Sequence, residues 1–443
     1  MRKNEHSLFW ISDRLSLFPD STRIQNDSLS IAGQDLASLA DRYLTPLYIY
    51  DRATMDASVV AYKGALKEYY PAPFEITYAG KAFLCKAIAL WTQEHKLWLD
   101  CTGEGEIAIA VTGGVPRERI LVHGVNKSDA DLKAVIQYSE TVVVDNLTEL
   151  YRLKELISTQ SVQSLVPNLW LRLLPGVSVA THHAHTQTGQ HESKFGMTRE
   201  EILEAANFCR EHDLPLKGIH FHQGSNFRDV SPLVKAIEIG LDLAKDVGLN
   251  GEWNFSPGGG WGVAYHEAEL PQPDVDEYVR IIAEAIIEGC KARGLTLPHL
   301  HLEPGRSLVA RAGVAIYKVG AIKQRGEKVW ILTDGGMTDN PRYAMYGARY
   351  SCLTVTGVER ERSEMVSIAG PFCESGDVVI EDLFMPKIEE GELIAIPAAG
   401  AYHLSMSSNY NGARRPAVLW LEEGRVKEII RRETIEDLLR RDS

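Results

Sequence analysis

Glu75-Ile76-Thr77-Tyr78-Ala79-Gly80-Lys81 is a short β-rich run that closes on a glycine and a lysine, and a longer stretch of helical pattern follows it. The same unit recurs. Further β-rich runs lie at 97–103, 120–124, 141–146, 168–175, 218–224, 253–260 and 300–306, and strands alternating with helical stretches mark βα units joined in a parallel sheet. Eight such units predict a closed (β/α)8 barrel of the TIM type. Thr198 with Glu201 three residues on predicts a helix start where hydroxyl and carboxylate satisfy orphan amides reciprocally. Beyond Val309 the pattern changes to strand-like runs at 328–333, 365–369, 377–380, 393–397 and 417–421, separated by Gly, Pro and Asn. The stretch 28–50 also reads as strand. The expected architecture is α/β: a barrel over 49–308, and a mostly β C-terminal domain over 309–443 that also takes up the N-terminal segment 1–48.

A chain of 443 residues has room for such a barrel and a second domain. Its 44% hydrophobic and 24% charged residues fit a folded globular protein. A net charge of -13 offers no global positive field to collect nucleic-acid phosphates, so any phosphate site has to be built locally. Lys3, Asp13, Arg14 and Asp20 interrupt the opening residues, which lack the apolar core of a secretory signal. No run reaches the roughly eighteen apolar residues a membrane helix needs, so neither nucleic acid nor membrane is an expected partner. Cys85, Cys101, Cys209, Cys290, Cys352 and Cys373 are widely spaced with no CxxC pair, a pattern of reduced thiols that points to the cytoplasm.

Active sites of such barrels assemble at the C-terminal ends of the strands, and unusual residues collect there in this chain. The first run ends at Lys81, the second at Asp100 with Glu106 beyond it, and the sixth at His220, His222 and Ser225. The seventh ends at Gly258-Gly259-Gly260 and the eighth at Glu303-Pro304-Gly305-Arg306. A lysine in a barrel mouth is expected to lose solvation, which favours the free amine that condenses with an aldehyde. Three glycines after a strand let backbone N–H groups approach a phosphate. A carboxylate such as Glu303 can keep a pyridine nitrogen protonated, and Arg306 can take a phosphate or a substrate carboxylate.

These residues and several more resemble, in order, the alanine-racemase-like (fold type III) decarboxylases, and most nearly the diaminopimelate decarboxylases among them. The matches are Tyr78-Ala79-Gly80-Lys81-Ala82, Thr188-Gly189, Ser193-Lys194-Phe195-Gly196, His220-Phe221-His222-Gln223-Gly224-Ser225 and the glycine triplet. They continue with Glu303-Pro304-Gly305-Arg306, Asp339-Asn340-Pro341-Arg342 with Tyr346, Gly370-Pro371-Phe372-Cys373-Glu374-Ser375-Gly376-Asp377, and Gly400-Ala401-Tyr402 followed by 405–412. Departures from the pattern are Glu104, Gln223, Asn226, Ser256-Pro257 and Tyr343.

The resemblance implies a pyridoxal 5'-phosphate enzyme that converts meso-2,6-diaminopimelate into L-lysine and carbon dioxide. It implies that Lys81 condenses with the cofactor, His222 stacks on its ring and Glu303 binds its pyridine nitrogen. Ser225, Gly258, Gly259, Gly260, Pro304, Gly305, Arg306 and Tyr402 would surround cofactor and phosphate. Arg306, Arg342, Tyr346, Glu374 and Tyr402 would contact substrate, and Cys373 would supply a proton across the interface of a homodimer with shared active sites. Diaminopimelate carries an ammonium and a carboxylate at both ends, so its distal end calls for a cation and an anion, which Arg342 and Glu374 can provide.

Three other readings follow from the same residues. One is a decarboxylase of this fold acting on another amino acid or an amino-acid conjugate. Another is a catalytically silent cofactor-binding regulator, against which Lys81 and Cys373 both stand. The last is a racemase, which needs a two-sided acid/base pair that the Cys373 segment does not resemble. His182, His183 and His185 fall within four positions, but no cysteine or carboxylate cluster accompanies them, so no metal is expected.

Overall fold

A computed structural model describes residues 5–159, 166–177, 188–190 and 192–443. The chain divides into two compact units, one of Val59–Gly262 with Asp274–Gly305, the other of Met1–Ser58, Val263–Pro273 and Arg306–Ser443.

The first unit is the barrel. Its strands, in chain order, are β1 (Phe74–Ala79), β2 (Trp98–Thr102), β3 (Ile120–His123), β4 (Thr141–Val144), β5 (Asn168–Arg172), β6 (Leu216–His220), β7 (Asn254–Gly258) and β8 (His299–Leu302). Each pairs in parallel with its chain neighbours, and β8 closes on β1 through Leu300 opposite Phe74. The eight runs read from sequence are these eight strands. Several stop short of the run that predicted them. β1 ends at Ala79, β6 at His220, β7 at Gly258 and β8 at Leu302, so Lys81, His222, the last two glycines of the triplet and 303–305 fall just past the sheet, where the backbone turns. Buried strand interiors such as Thr141–Val144 account for the near-continuous apolar reading. The helix Arg199–Glu211 begins as predicted, with Thr198 N donating to Glu201 Oε2 at 2.8 Å and Glu201 N to Thr198 Oγ1 at 3.3 Å.

In the second unit one sheet runs in the order Val378–Met385, Glu364–Ala369, Lys328–Thr333, Gly313–Arg325, Leu47–Asp51, Ala417–Glu422, Arg425–Ile430, and Leu393–Ile396 joins Gly313–Arg325 as a further neighbour. The N-terminal segment enters this sheet as expected. Leu47–Asp51 lies between the long strand and the C-terminal one, antiparallel to the former and parallel to the latter. The reading of 28–50 as continuous strand is corrected. Ser28–Ile31 pairs in a small separate sheet, and Leu36–Tyr43 is a helix. Asp35 caps it by accepting from Ser38 N, and Leu36, Leu39 and Ala40 are buried along one face, so helical spacing and a cap outweigh the local β propensity.

Candidate active site

Glu303 follows β8 and is buried within the barrel unit. Ser256 Oγ donates to its Oε1 at 2.7 Å, and His220 Nε2 meets its Oε2 at 3.1 Å. Burial pushes the Glu303 carboxyl up, but the charge and hydrogen bond of His220, the Ser256 hydroxyl and the Lys81 ammonium outweigh it, leaving the group below its ordinary value. Asp100, in the middle of β2, goes the other way. Burial raises it to about 8, against the pull of Lys81 and with the push of Glu303 and Glu106. Two neighbouring carboxyls are thus driven apart, one held as an anion and one as an acid.

His222, half-buried past β6, is kept neutral by burial first and by the charges of Lys81, Arg172 and His220. Gly259 N donates to its Nδ1 at 3.3 Å, which puts the ring proton on Nε2. Thr188 explains its place in the motif series, because Thr188 Oγ1 donates to His222 O at 2.6 Å and Thr188 N to Gln223 O at 3.1 Å. Phe195 lies under Arg172, whose Cζ is 4.6 Å from the ring centroid, and Arg172 Nη1 bonds Asp145 at 3.3 Å. Thr188 and Phe195 are thereby held against the ends of β6 and β5.

The glycine triplet is where a side chain is sterically impossible. A Cβ on Gly259 would sit 2.0 Å from Glu303 O, and one on Gly260, whose φ is +106°, would sit 2.0 Å from Gly224 O. The turn therefore packs backbone against backbone, with Gly258 N donating to Ser256 Oγ at 3.1 Å. Beside Glu303, the buried atoms Asp100 Oδ1, His123 Nε2 and His220 Nδ1 have no hydrogen-bonding partner among the described residues. A flat ring with one polar edge against Glu303, and an anionic phosphate brought close to a turn that carries no side chains, fit what these residues offer.

In the second unit Arg306 and Arg342 are buried next to Tyr265. Arg306 bonds the Tyr265 hydroxyl, its Cζ is 5.6 Å from that ring and 4.6 Å from the Tyr402 ring, and Arg342 Cζ is 4.5 Å from the Tyr265 ring. Arg342 Nη1 donates to Tyr350 Oη at 2.7 Å. Tyr346, half-buried, ends the short helix that Arg342 begins. Cys373 and Glu374 are exposed on a loop held by Asp377, which accepts from Met337 N at 2.7 Å and Phe372 N at 2.8 Å. Asn411 Oδ1 accepts from Cys373 N at 3.0 Å.

One reading from sequence needs adjustment. Lys81 is exposed, in the turn Gly80–Ala82 after β1, not desolvated, although its ammonium acts on Asp100, Glu106 and Glu303. Arg342 and Glu374, read as the cation and anion for the distal end of the substrate, each have local partners among the described residues. Arg342 turns to Tyr350, while Glu374 Oε1 accepts from Gly376 N at 3.2 Å. His182, His183 and His185 lie outside the described residues. One His/Glu group, His123, His220 and Glu303, brings donor atoms within 4.8 Å of one another, and it belongs to the carboxylate network above. Tyr265, Tyr350, His403 and His123 were not singled out in the sequence. Only His123 carried a signal, as a polar residue ending a barrel strand.

Among the described residues no helix is long and apolar enough to cross a membrane. A family model described as "Pyridoxal-dependent decarboxylase, pyridoxal binding domain" matches residues 56–310. The chain is similar to diaminopimelate decarboxylase of Actinosynnema pretiosum subsp. auranticum, 37% identical with 96% of this chain and 95% of that protein covered. It is similar to the enzyme of that name from Bacillus subtilis (strain 168), also 37% identical, with 95% of this chain and 97% of the relative covered. Among solved structures, diaminopimelate decarboxylase from M. jannaschii in co-complex with L-lysine superposes with a TM-score of 0.87 at 30% identity, covering 96% of this chain and 98% of that one. This chain belongs to the pyridoxal-dependent decarboxylases, enzymes whose cofactor is pyridoxal 5'-phosphate.

Proposed function

We propose that the chain decarboxylates meso-2,6-diaminopimelate to L-lysine and carbon dioxide, the last step of lysine biosynthesis. Arg342 carries the reading. It is a buried guanidinium whose neighbours are the phenols of Tyr265 and Tyr350, and among the described residues no carboxylate pairs with it. Burial pulls its pKa down, but the surrounding phenols pull harder and keep it charged. A buried cation of this kind calls for an anion from outside the chain, and the distal carboxylate of diaminopimelate supplies one where lysine's or ornithine's distal ammonium does not. The relatives of this name match along nearly the whole chain.

When bound, pyridoxal phosphate supplies an electron sink for the bond that breaks. The residues take the following roles. Lys81 Nζ is the amine that holds the cofactor and yields it to substrate. Gly258, Gly259, Gly260, Ser225, Pro304, Gly305, Arg306 and Tyr402 hold cofactor and phosphate, His222 packs on the ring face, and ionised Glu303 keeps the ring nitrogen protonated. Arg306, Arg342, Tyr346, Glu374 and Tyr402 bind substrate, with Glu374 taking the distal ammonium. As the bond from the α-carbon to the carboxylate breaks, carbon dioxide leaves and the electron pair stays behind. Cys373 Sγ then gives its proton to the α-carbon. Exposure of Cys373 and Glu374 on a tethered loop suits residues delivered to the active site of a partner copy, so we take the working enzyme to be a homodimer. Six free cysteines favour the cytoplasm.

The reading is tested by incubating the protein and pyridoxal phosphate with meso-diaminopimelate, lysine, ornithine and arginine separately and measuring released carbon dioxide. Release from diaminopimelate alone is expected. Faster release from one of the other three would overturn the substrate assignment.

A further inference from the structure

Arg342 stands at one end of a row of buried hydrogen bonds, all within the β-rich unit. Tyr350 Oη lies 2.7 Å from Arg342 Nη1 and 2.8 Å from His403 Nε2, His403 Nδ1 lies 3.2 Å from Tyr48 Oη, and Tyr48 Oη lies 3.1 Å from Asp339 Oδ2. Tyr317 bonds the same Asp339 oxygen. Every side chain in the row is at most 4% exposed.

The direction of these bonds is fixed by chemistry. A guanidinium has no lone pair to offer and can only donate, so Tyr350 Oη accepts from Arg342 and its own proton goes to His403 Nε2. Burial first, and then the charges of Arg342 and Arg306, keep His403 neutral. A neutral ring that accepts at Nε2 carries its proton on Nδ1, so it donates to Tyr48, and Tyr48 donates to Asp339. The row therefore runs one way, from the cation of Arg342 to the carboxyl of Asp339. Its two ends are three residues apart in the chain, and the relay links them through Tyr350, His403 and Tyr48.

His403 decides what Tyr350 can do. With an acceptor at Nε2, the Tyr350 hydroxyl turns its lone pair to Arg342. Without it, the hydroxyl is free to rotate and its lone pair is no longer held toward the guanidinium, which among the described residues keeps the faces of the Tyr265 ring at 4.5 Å and the Tyr350 ring at 5.8 Å. We propose that Tyr350 and His403 are positioning residues that orient the Arg342 guanidinium, and through it set the preference for substrates with a distal carboxylate. This rests on the reading of Arg342 as the distal-carboxylate ligand.

The test compares two inhibitors of the holoenzyme. L-Lysine keeps the distal ammonium and carboxylate of the substrate, and 1,5-diaminopentane keeps only the ammonium. Tyr350→Phe, which removes one oxygen, and His403→Phe should each weaken lysine inhibition and raise KM for meso-diaminopimelate about tenfold, the scale of a lost hydrogen bond to a charged group. Inhibition by diaminopentane should stay within about twofold, and kcat should change less than KM. His403→Gln, whose amide can accept from Tyr350, should recover most of the lysine affinity. Equal losses for both inhibitors, or no loss for either, would overturn the proposal, and Tyr350→Phe decides the matter if His403→Phe does not fold. Arg342→Ala separates the layers. If it changes the lysine-to-diaminopentane ratio while the Tyr350 and His403 variants do not, the relay is wrong and the ligand assignment stands. If Arg342→Ala leaves the ratio unchanged, that assignment and the proposal fall together.

Discussion

Ser256 Oγ donates to Glu303 Oε1 at 2.7 Å while accepting from Gly258 N at 3.1 Å, so the hydroxyl cannot turn away from the carboxylate. The same contact ties the glycine-rich turn after β7 to the acid after β8. Ser256→Ala removes a donor that favours the ionised carboxyl, and burial then pushes Glu303 upward. A hydrogen bond to a charged group contributes about 1.5–3 kcal/mol, so kcat/KM should fall roughly ten- to a hundredfold. The acidic limb of the pH–rate profile should move to higher pH. An unmoved limb would show that Ser256 does not act on Glu303.

Asp100 gives a pH dependence of stability with a definite sign. Its folded value is about 8 against an ordinary 3.8, raised chiefly by burial. Between those values the folded chain binds more protons than the unfolded one, so its contribution is complete at the acidic end of the window and is lost as pH rises toward the folded value. Asp100→Asn keeps the shape and removes the titration. Melting temperatures of the cofactor-free protein should then decline less steeply with rising pH across this window. An identical slope in wild type and variant would count against a raised Asp100.

Much of the fold could be read from the chain because a barrel strand repeats one local pattern, a short apolar run ending in a glycine or a polar residue, and each of the eight runs was complete in itself. The runs overshot the strands because residues such as Lys81 and Gly260 continue the composition of a strand end while the backbone has already turned. The helix Leu36–Tyr43 was missed because its leucines and alanines sit among β-rich neighbours and its cap, Asp35, is a single residue. Motif residues of the site were legible for the same reason as the strands. The aromatic surroundings of Arg342 were not. Tyr350 and His403 are 53 residues apart, and Tyr48 and His403 are 355 apart, and a lone tyrosine or histidine announces no partner at that range.

Lys81 sits in the turn after β1 with its charge bearing on Glu303 and Asp100. Lys81→Ala should fold and bind pyridoxal phosphate without the covalent link, losing the visible absorbance of the linked form, with turnover reduced by roughly 10²–10⁴-fold or more. Borohydride reduction of the wild type followed by peptide mapping should find the label on Lys81. A label on any other lysine would remove it from this role.

Cys373 is exposed, with its own N–H held by Asn411 and that of the preceding Phe372 by Asp377. Cys373→Ala should bind cofactor and substrate normally but turn over slowly or protonate the wrong atom, releasing an aldehyde and the amine form of the cofactor. If Lys81 and Cys373 of one active site come from different subunits, mixing the two inactive variants should restore part of the activity through hybrid dimers. Absence of recovery under conditions where subunits demonstrably exchange would contradict a shared site.

The assignment as a whole rests on one reaction, and its stoichiometry is the direct test. Protein loaded with pyridoxal phosphate and given meso-diaminopimelate should release carbon dioxide and L-lysine in equal amounts, with neither formed when the cofactor is removed and both restored when it is added back. Carbon dioxide without lysine, or no turnover of diaminopimelate by fully loaded protein, would contradict the account.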